Sequence, residues 1–228
     1  MRRALVEGSI IVVSILLAFG IDAGWDRFQE RQAERDAMRT LAAEFLTNLE
    51  LARAGIRWTE RHRANTVLLL QAARSPRLGA SFQVPDSSVV YMVSITSLNA
   101  STGALDGVLG AQGLDLFQDP VLRSRIAAWP GYLRDVVEDQ ASASAFVQDK
   151  VIDVLSRHGD FSAAMEAAGS HFAGRASVEE LSHSTEFTAS AELLSVLGVH
   201  VGYLDRSAAA LRGLEEATTE ILALLPPA

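Results

Sequence analysis

A predominantly apolar stretch occupies residues 4–25, close to the start of the chain. Fourteen residues without a charged side chain separate Glu7 from Asp22, and with its flanks the stretch reaches about 21 residues. An α-helix of roughly 21 residues is ~31 Å long, which is one hydrocarbon thickness of a bilayer. The pattern predicts a single transmembrane helix whose two carboxylates lie one turn inside its ends, with Trp25 and Phe28 as an interfacial anchor.

The helical pattern continues without a proline through residues 26–74, where apolar side chains recur at intervals of three and four. The residues of this apolar face are Met38, Leu41, Ala42, Phe45, Leu49, Ala52 and Ile56. We expect the transmembrane helix to run directly into this amphipathic helix, which Pro76 and Gly79 end. Phe82–Pro85 is predicted to be a connecting loop.

Short elements are predicted in the region that follows. Val89–Leu98 is predicted to be a helix, although its β-branched content is also typical of a strand. Ser101 or Thr102 is predicted to cap a second short helix that ends at Gly113. The glycines of that segment do not indicate a phosphate-binding loop, because no lysine follows them and no strand precedes them.

A second long helix is predicted to begin after Asp119. An aspartate followed by Pro120 is an N-cap with a proline in the first helical position, which is a specific start signal. We expect this helix to run to His158, with a kink at Pro130. Residues 159–185 are rich in alanine, serine and glycine and predict a loop.

The last helix is predicted to open at Ser184–Phe187 and to end at Pro226, after a short helix at Val178–Ser182. Three long helices joined by short ones, with sheet content near zero, define an all-α fold class. We expect one N-terminal transmembrane helix continuing into a soluble antiparallel helical bundle. Residues 1–28 form the transmembrane anchor in this prediction, and residues 29–228 form the soluble helical bundle domain.

Charge is distributed unevenly along the chain. Residues 1–129 carry 14 basic and 13 acidic side chains, a net charge of +1, whereas residues 130–228 carry 6 and 15, a net charge of −9. An acidic solvated surface explains this distribution, and we expect no nucleic-acid partner because binding to phosphates requires a basic patch. The chain contains no cysteine, which excludes disulfides and thiolate metal sites.

The sequence contains no pattern typical of catalysis or metal binding. The five histidines are His62, His158, His171, His183 and His200, and no two have the i, i+4 spacing of a helical metal site. His158, His171 and His183 would form a site only by long-range assembly, and we expect them at the surface. A Gly-x-Ser-x-Gly motif and a cysteine nucleophile are both missing. We therefore expect no catalytic residue, no metal site and no cofactor.

Small residues recur every four positions within the predicted span, at Ser14, Ala18 and Asp22. Small side chains on one face allow another membrane helix to approach closely, and a carboxylate near the bilayer edge is less costly when it has a polar partner. We predict that this stripe contacts another membrane helix. The alternative is an ordinary span with incidental small residues.

The arginines around the span leave its orientation open. Arg2 and Arg3 precede it, and four arginines follow it within residues 27–39, so a count of arginines alone favours a cytoplasmic head. The arginines that follow are interleaved with acidic residues, however, and a short basic tail before an apolar core is typical of a signal anchor that exports the following domain. We predict a head on the outer side of the membrane. A cleaved signal peptide, with Ala18-Phe19-Gly20 as a poor cleavage site, is the alternative.

Two groups of residues carry a resemblance. The first comprises Glu7–Val13, Ala18, Ile21, Asp22 and Trp25 ahead of a charged helix; the second comprises Ser101–Leu105, Gly113–Leu116, Asp119–Pro120, Leu122–Arg123 and Trp129–Pro130. In these residues the chain resembles an uncharacterised family of bacterial single-span membrane proteins with a helical soluble head. The resemblance covers about two thirds of the chain. It implies the architecture and a bacterial inner-membrane location, and it implies no activity.

These observations together favour a non-enzymatic protein. We expect a single-pass membrane-anchored accessory or scaffolding subunit that packs on a larger membrane protein complex, either energy-transducing (respiratory or photosynthetic) or part of the envelope machinery. Its expected partners are other membrane protein subunits and the lipid bilayer, and its head is expected in the periplasm. The alternative is a free-standing periplasm-facing sensor or adaptor that binds a soluble partner, followed by a membrane-tethered hydrolase.

Overall fold

The computed structural model describes the backbone of residues 2–94, 97–172, 181 and 183–226. Within these ranges, the side chains of residues 2–15, 111–112 and 170–172 are not described. The described residues are mostly helical and include two short strands, which confirms the predicted all-α class.

Seven α-helices and two strands make up the described elements. They are α1 (Arg2–Arg74), β1 (Ser81–Pro85), α2 (Asp86–Val93), α3 (Gly103–Gly107), α4 (Pro120–Phe146), α5 (Ile152–His158), α6 (Ser162–Phe172), β2 (Ser184–Thr188) and α7 (Ala191–Leu224). A π-helical turn, Val108–Gln112, and a 3₁₀ turn, Leu114–Leu116, follow α3, and a second π-helical turn, Val147–Val151, joins α4 to α5.

The ends of two long helices lie where the sequence predicts them. Helix α1 is continuous to Arg74 and ends two residues before Pro76, after which Gly79 adopts a positive φ of 88°. Helix α4 begins at Pro120, and the carboxylate of Asp119 accepts the backbone N–H of Val121 at 2.7 Å. The aspartate therefore caps α4 as predicted.

The short β-sheet corrects two predictions. Strand β1 pairs antiparallel with β2, with Phe82 opposite Phe187, so Phe82–Pro85 is a strand rather than a loop. The predicted helix start at Ser184 is wrong for the same reason. Residues alternate in β2, where Thr185 and Phe187 are buried and Ser184 and Glu186 are exposed, and this period of two is that of a strand.

Three further predictions meet a mixed outcome. The preference for a helix near Val89 is confirmed, but α2 ends at Val93, before Leu98. The predicted loop beginning at residue 159 is wrong in part, because α6 occupies Ser162–Phe172. The short helix predicted at Val178–Ser182 lies outside the described residues, except for Leu181, which is not helical.

The chain divides into two compact units, which leave the predicted boundary at residue 28 untested. Unit 1 comprises residues 1–46, 102–127 and 221–228, and unit 2 comprises residues 47–101 and 128–220. Each unit is therefore built from separate parts of the chain.

Within unit 1, a side chain of α1 holds the start of α3. The carboxylate of Glu44 accepts the backbone N–H groups of Ala104 and Leu105, at 2.8 and 3.0 Å. These are two of the donors that the first turn of a helix leaves unpaired. Thr102 occupies the N-cap position, as predicted, but its side chain makes no capping hydrogen bond, so Glu44 takes over that role.

Within unit 2, the directions of the long helices follow from the pairs that join them. Arg53 and Glu60 of α1 contact Glu215 and Arg212 of α7, at 2.9 and 2.6 Å, so these helices are antiparallel. Helix α4 is also antiparallel to α7. The contacts that establish this are Trp129 Nε1 to Thr218 Oγ1 at 2.9 Å and Arg206 to Asp139 at 3.1 Å. Helices α1 and α4 consequently run in the same direction. A long connection between two helices allows this arrangement. The helices are therefore not all antiparallel, which corrects the predicted antiparallel bundle.

Among the described residues, no helix combines the length and the apolar character needed to cross a membrane. Ser14, and the rest of the predicted span before residue 16, have side chains outside the described set. The transmembrane helix stays a prediction.

Candidate functional site

The described part of the predicted membrane segment is a helix with a bare apolar surface. Its large apolar side chains are between 57% and 66% exposed; they are Leu16, Leu17, Phe19, Ile21, Trp25 and Phe28. The rings of Trp25 and Phe28 stack with centroids 5.9 Å apart, so the predicted interfacial pair forms one aromatic patch. Ala18 and Asp22 are also exposed, and as residues four apart they share one face of α1.

These apolar side chains are distributed around the helix. Successive residues of an α-helix are about 100° apart, so Leu16 and Phe19 lie on one side of α1, whereas Leu17 and Ile21 lie on another. A helix that packs on a protein core exposes a polar face and buries a single apolar stripe. The large apolar side chains of α1 cover more than half of its circumference and so exceed a single stripe.

A second candidate site lies inside unit 2, where His62 of α1 meets His200 of α7. The Nε2 atoms of the two imidazoles are 3.3 Å apart, and the residues are 4% and 0% exposed. The pair cannot be predicted from spacing along the chain, because 138 positions separate the two histidines. The sequence does indicate that His200 is buried, because it lies in the apolar stripe of α7, three residues after Leu197 and four before Leu204.

His62 also forms a hydrogen bond with the C-terminal end of α2. Its Nε2 lies 2.7 Å from the carbonyl oxygen of Met92, which is one of the last carbonyls of that helix. Because a carbonyl only accepts, the Nε2 of His62 carries the hydrogen in this contact. The Nδ1 of His200 is buried and has no hydrogen-bond partner among the described residues.

A small cavity adjoins the histidine pair. It leaves about 20 Å³ for the centre of a water molecule, which is room for a single one. The described residues that line it are Thr59, His62, Ser94, Gln140, Ala143, Ser144, Val147, His200, Leu204 and Ser207. None of these residues is a carboxylate or a permanently charged base, so the pair faces neutral groups.

Burial keeps both imidazoles uncharged. It lowers the pKa of His62, against the opposing effect of the hydrogen bond to Met92. Burial, with a smaller contribution from the His62 ring, lowers the pKa of His200 to about 3, although a hydrogen bond to the carbonyl of Met92 acts in the opposite direction. Both rings are therefore neutral at pH 7.

Another cluster combines a serine, a histidine and a carboxylate, but its geometry is that of a helix cap. His158 Nε2 lies 3.0 Å from Ser190 Oγ and 3.5 Å from Glu192. The Oγ of Ser190 accepts the backbone N–H of Leu193 at 3.0 Å and so caps α7. In a catalytic triad the carboxylate binds the other ring nitrogen and orients the base. Here both contacts use Nε2, so the cluster lacks that arrangement.

Among the residues with described side chains, no group of three or more histidine, cysteine, aspartate or glutamate residues is placed to hold a metal ion. No protein-family model, curated protein or solved structure matches the chain. Function is therefore argued from the residues themselves.

Proposed function

We propose that this protein is a single-pass membrane-anchored accessory or scaffolding subunit of a larger membrane protein complex. The observation that carries the proposal is the exposed apolar surface of α1 between Leu16 and Phe28, which continues the apolar sequence of residues 4–15. Exposing such a surface to water is unfavourable by about 25 cal/mol for every Å². A bilayer removes this penalty.

The distribution of the apolar side chains favours lipid over a protein groove as the main environment. A groove that binds one amphipathic helix contacts a single stripe of apolar residues with i, i+3, i+4 and i+7 spacing. Leu16, Leu17, Phe19 and Ile21 do not fall on one stripe. The stacked rings of Trp25 and Phe28 are of the type enriched where a membrane meets water.

A partner helix in the membrane is proposed to lie on the face of Ser14, Ala18 and Asp22. Helix association in lipid depends on close packing, which small residues permit. The proposed partners are other membrane protein subunits. The proposed location is the bacterial inner membrane with the head in the periplasm, in keeping with the resemblance to bacterial single-span proteins.

Copurification from mild detergent tests this partner contact. Ala18→Leu adds bulk to the proposed contact face and retains apolar character, so it should leave membrane insertion intact and weaken association with partner subunits. Ala23→Leu is the matched control, because it makes the same change off the stripe. Loss of partners with Ala18→Leu alone supports the proposal. If both variants retain their partners as wild type does, the span is a passive anchor.

A free-standing sensor or adaptor is the second candidate, and one groove in unit 2 favours it. Leu51, Ala54, Trp58 and Leu98 line a space of about 320 Å³. The Nε1 of Trp58 is itself buried and has no hydrogen-bond partner among the described residues. A monomer that purifies from mild detergent without stoichiometric partners would favour this second candidate over the first.

A further inference from the structure

The His62–His200 contact joins three helices of unit 2 at one point. His62 belongs to α1, His200 belongs to α7, and the carbonyl of Met92 belongs to α2. The ring of His200 also stacks on Phe146 at the end of α4, with centroids 6.2 Å apart. A change of charge here acts on the packing of all four elements.

The titratable side chains on the surrounding elements form their described contacts elsewhere. These contacts pair Glu60 with Arg212, Arg61 with Tyr91, Arg63 with Asp205, Arg206 with Asp139, Thr185 with Asp86, and Tyr203 with Phe146. None of these side chains is among the described residues that line the histidine cavity. A positive charge on either ring therefore has no described carboxylate facing it.

The two histidines respond differently to a proton. His62 already donates from Nε2 to Met92, and it keeps that hydrogen bond when its other nitrogen is protonated. His200 as an imidazolium would carry hydrogens on both nitrogens. Its Nε2–H would then face the Nε2–H of His62 across 3.3 Å, and a hydrogen bond to the carbonyl of Met92 offsets only part of the cost of burying the charge. In the neutral pair the two rings are in contact without a charge. Protonation would place two N–H donors opposite each other and add a buried positive charge, which is unfavourable.

We propose that His62 and His200 form an acid-sensitive latch between α1 and α7. In the closed state both rings are neutral and buried. Protonation of His200 opens the latch, because the imidazolium leaves the cavity for water and the middle of α7 separates from α1 and the end of α2.

The size of the response follows from proton linkage. An exposed histidine has a pKa of about 6.5, whereas burial lowers that of His200 in the closed state to about 3. The open state therefore binds more protons, so the closed state is fully favoured above pH 6.5 and loses about tenfold for each pH unit below it. Between pH 7.5 and pH 5.0 the ratio of open to closed molecules should rise about 30-fold from one histidine.

Hydrogen exchange of the full-length protein in mild detergent measures this opening. The amides of α7 around His200 should lose about 30-fold of their protection between pH 7.5 and pH 5.0, after correction for the intrinsic pH dependence of exchange. His200→Phe keeps an aromatic ring beside Phe146 and removes the titrating group, so its protection should stay constant over this range. His200→Gln is a second non-titrating variant in case phenylalanine disturbs the fold, and helicity at pH 7.5 identifies the variant to use.

His183→Gln is the matched control, because His183 is exposed and lies outside the pair. It should behave as wild type does. The latch is refuted if wild type keeps its protection at pH 5.0, or if a folded His200 variant loses protection to the same extent as wild type.

Discussion

The close approach of Gly159 to strand β2 makes a sharp test of the packing in unit 2. A methyl group built on Gly159 would lie 2.5 Å from the carbonyl oxygen of Glu186 and closer still to the ring of Phe187. The φ of Gly159 is −168°, an extended conformation that any residue adopts, so the restriction is one of space alone. One of the clashing atoms is the backbone carbonyl oxygen of Glu186, so rotation of a side chain cannot remove the clash.

The expected penalty for Gly159→Ala is large. Overpacking usually costs about 1–3 kcal/mol, and a clash with backbone belongs at the upper end of that range. With an m-value of about 2 kcal/mol per molar urea, a loss of ~3 kcal/mol lowers the unfolding midpoint by roughly 1.5 M. The contact between Gly159 and Phe187 and the pairing of β1 with β2 should weaken together.

Urea unfolding of the full-length protein in mild detergent, followed by circular dichroism, measures this change. Gly202→Ala is the matched control, because Gly202 lies within α7 and a methyl group built there meets no atom within 4 Å. Alanine is favoured over glycine inside a helix by about 0.5–1 kcal/mol, so the control should be as stable as wild type or more so. An unchanged midpoint for Gly159→Ala would refute the packing of α5 against β2.

Three further predictions concern other contacts and the orientation. Thr218→Val removes the acceptor of the buried Trp129 N–H and should lower the free energy of unfolding by about 1–3 kcal/mol in the same urea assay; no loss would mean that the indole finds another acceptor. Glu44→Ala should cost about 0.5–2 kcal/mol by uncapping α3, whereas Glu50→Ala, on the exposed side of α1, should change little; equal effects would contradict the cap. A reporter that folds only in the cytoplasm should be silent when fused to the C terminus, and an active reporter would reverse the proposed orientation.

Local signals in the sequence account for the helix boundaries that were predicted correctly. Pro76 ends α1, and Asp119 with Pro120 begins α4, because proline and a capping carboxylate act on the backbone next to them. The apolar stripe of α7 likewise needs only its own spacing to be recognised. Signals of this kind require no knowledge of distant residues.

The features that local sequence patterns did not predict depend on partners far along the chain. Strand β1 exists because β2 pairs with it from about a hundred residues away, and Ser184 resembles a helix cap when β1 is ignored. His62 and His200 form a pair only after α1 and α7 pack together. Glu44 caps α3 from another helix, whereas a search for caps considers adjacent serines and threonines.

Membrane retention of the full-length protein tests the central claim most directly. After a high-pH carbonate wash, wild type should stay in the membrane pellet. Replacing both Leu17 and Ile21 by arginine should weaken retention, because an arginine at the centre of a membrane helix costs about 2.5–3.5 kcal/mol. Leu46→Arg, at an exposed leucine outside the segment, should be retained as wild type is. Deletion of residues 1–28 should yield a soluble helical protein. Recovery of full-length wild type from the soluble fraction without detergent would contradict the membrane anchor.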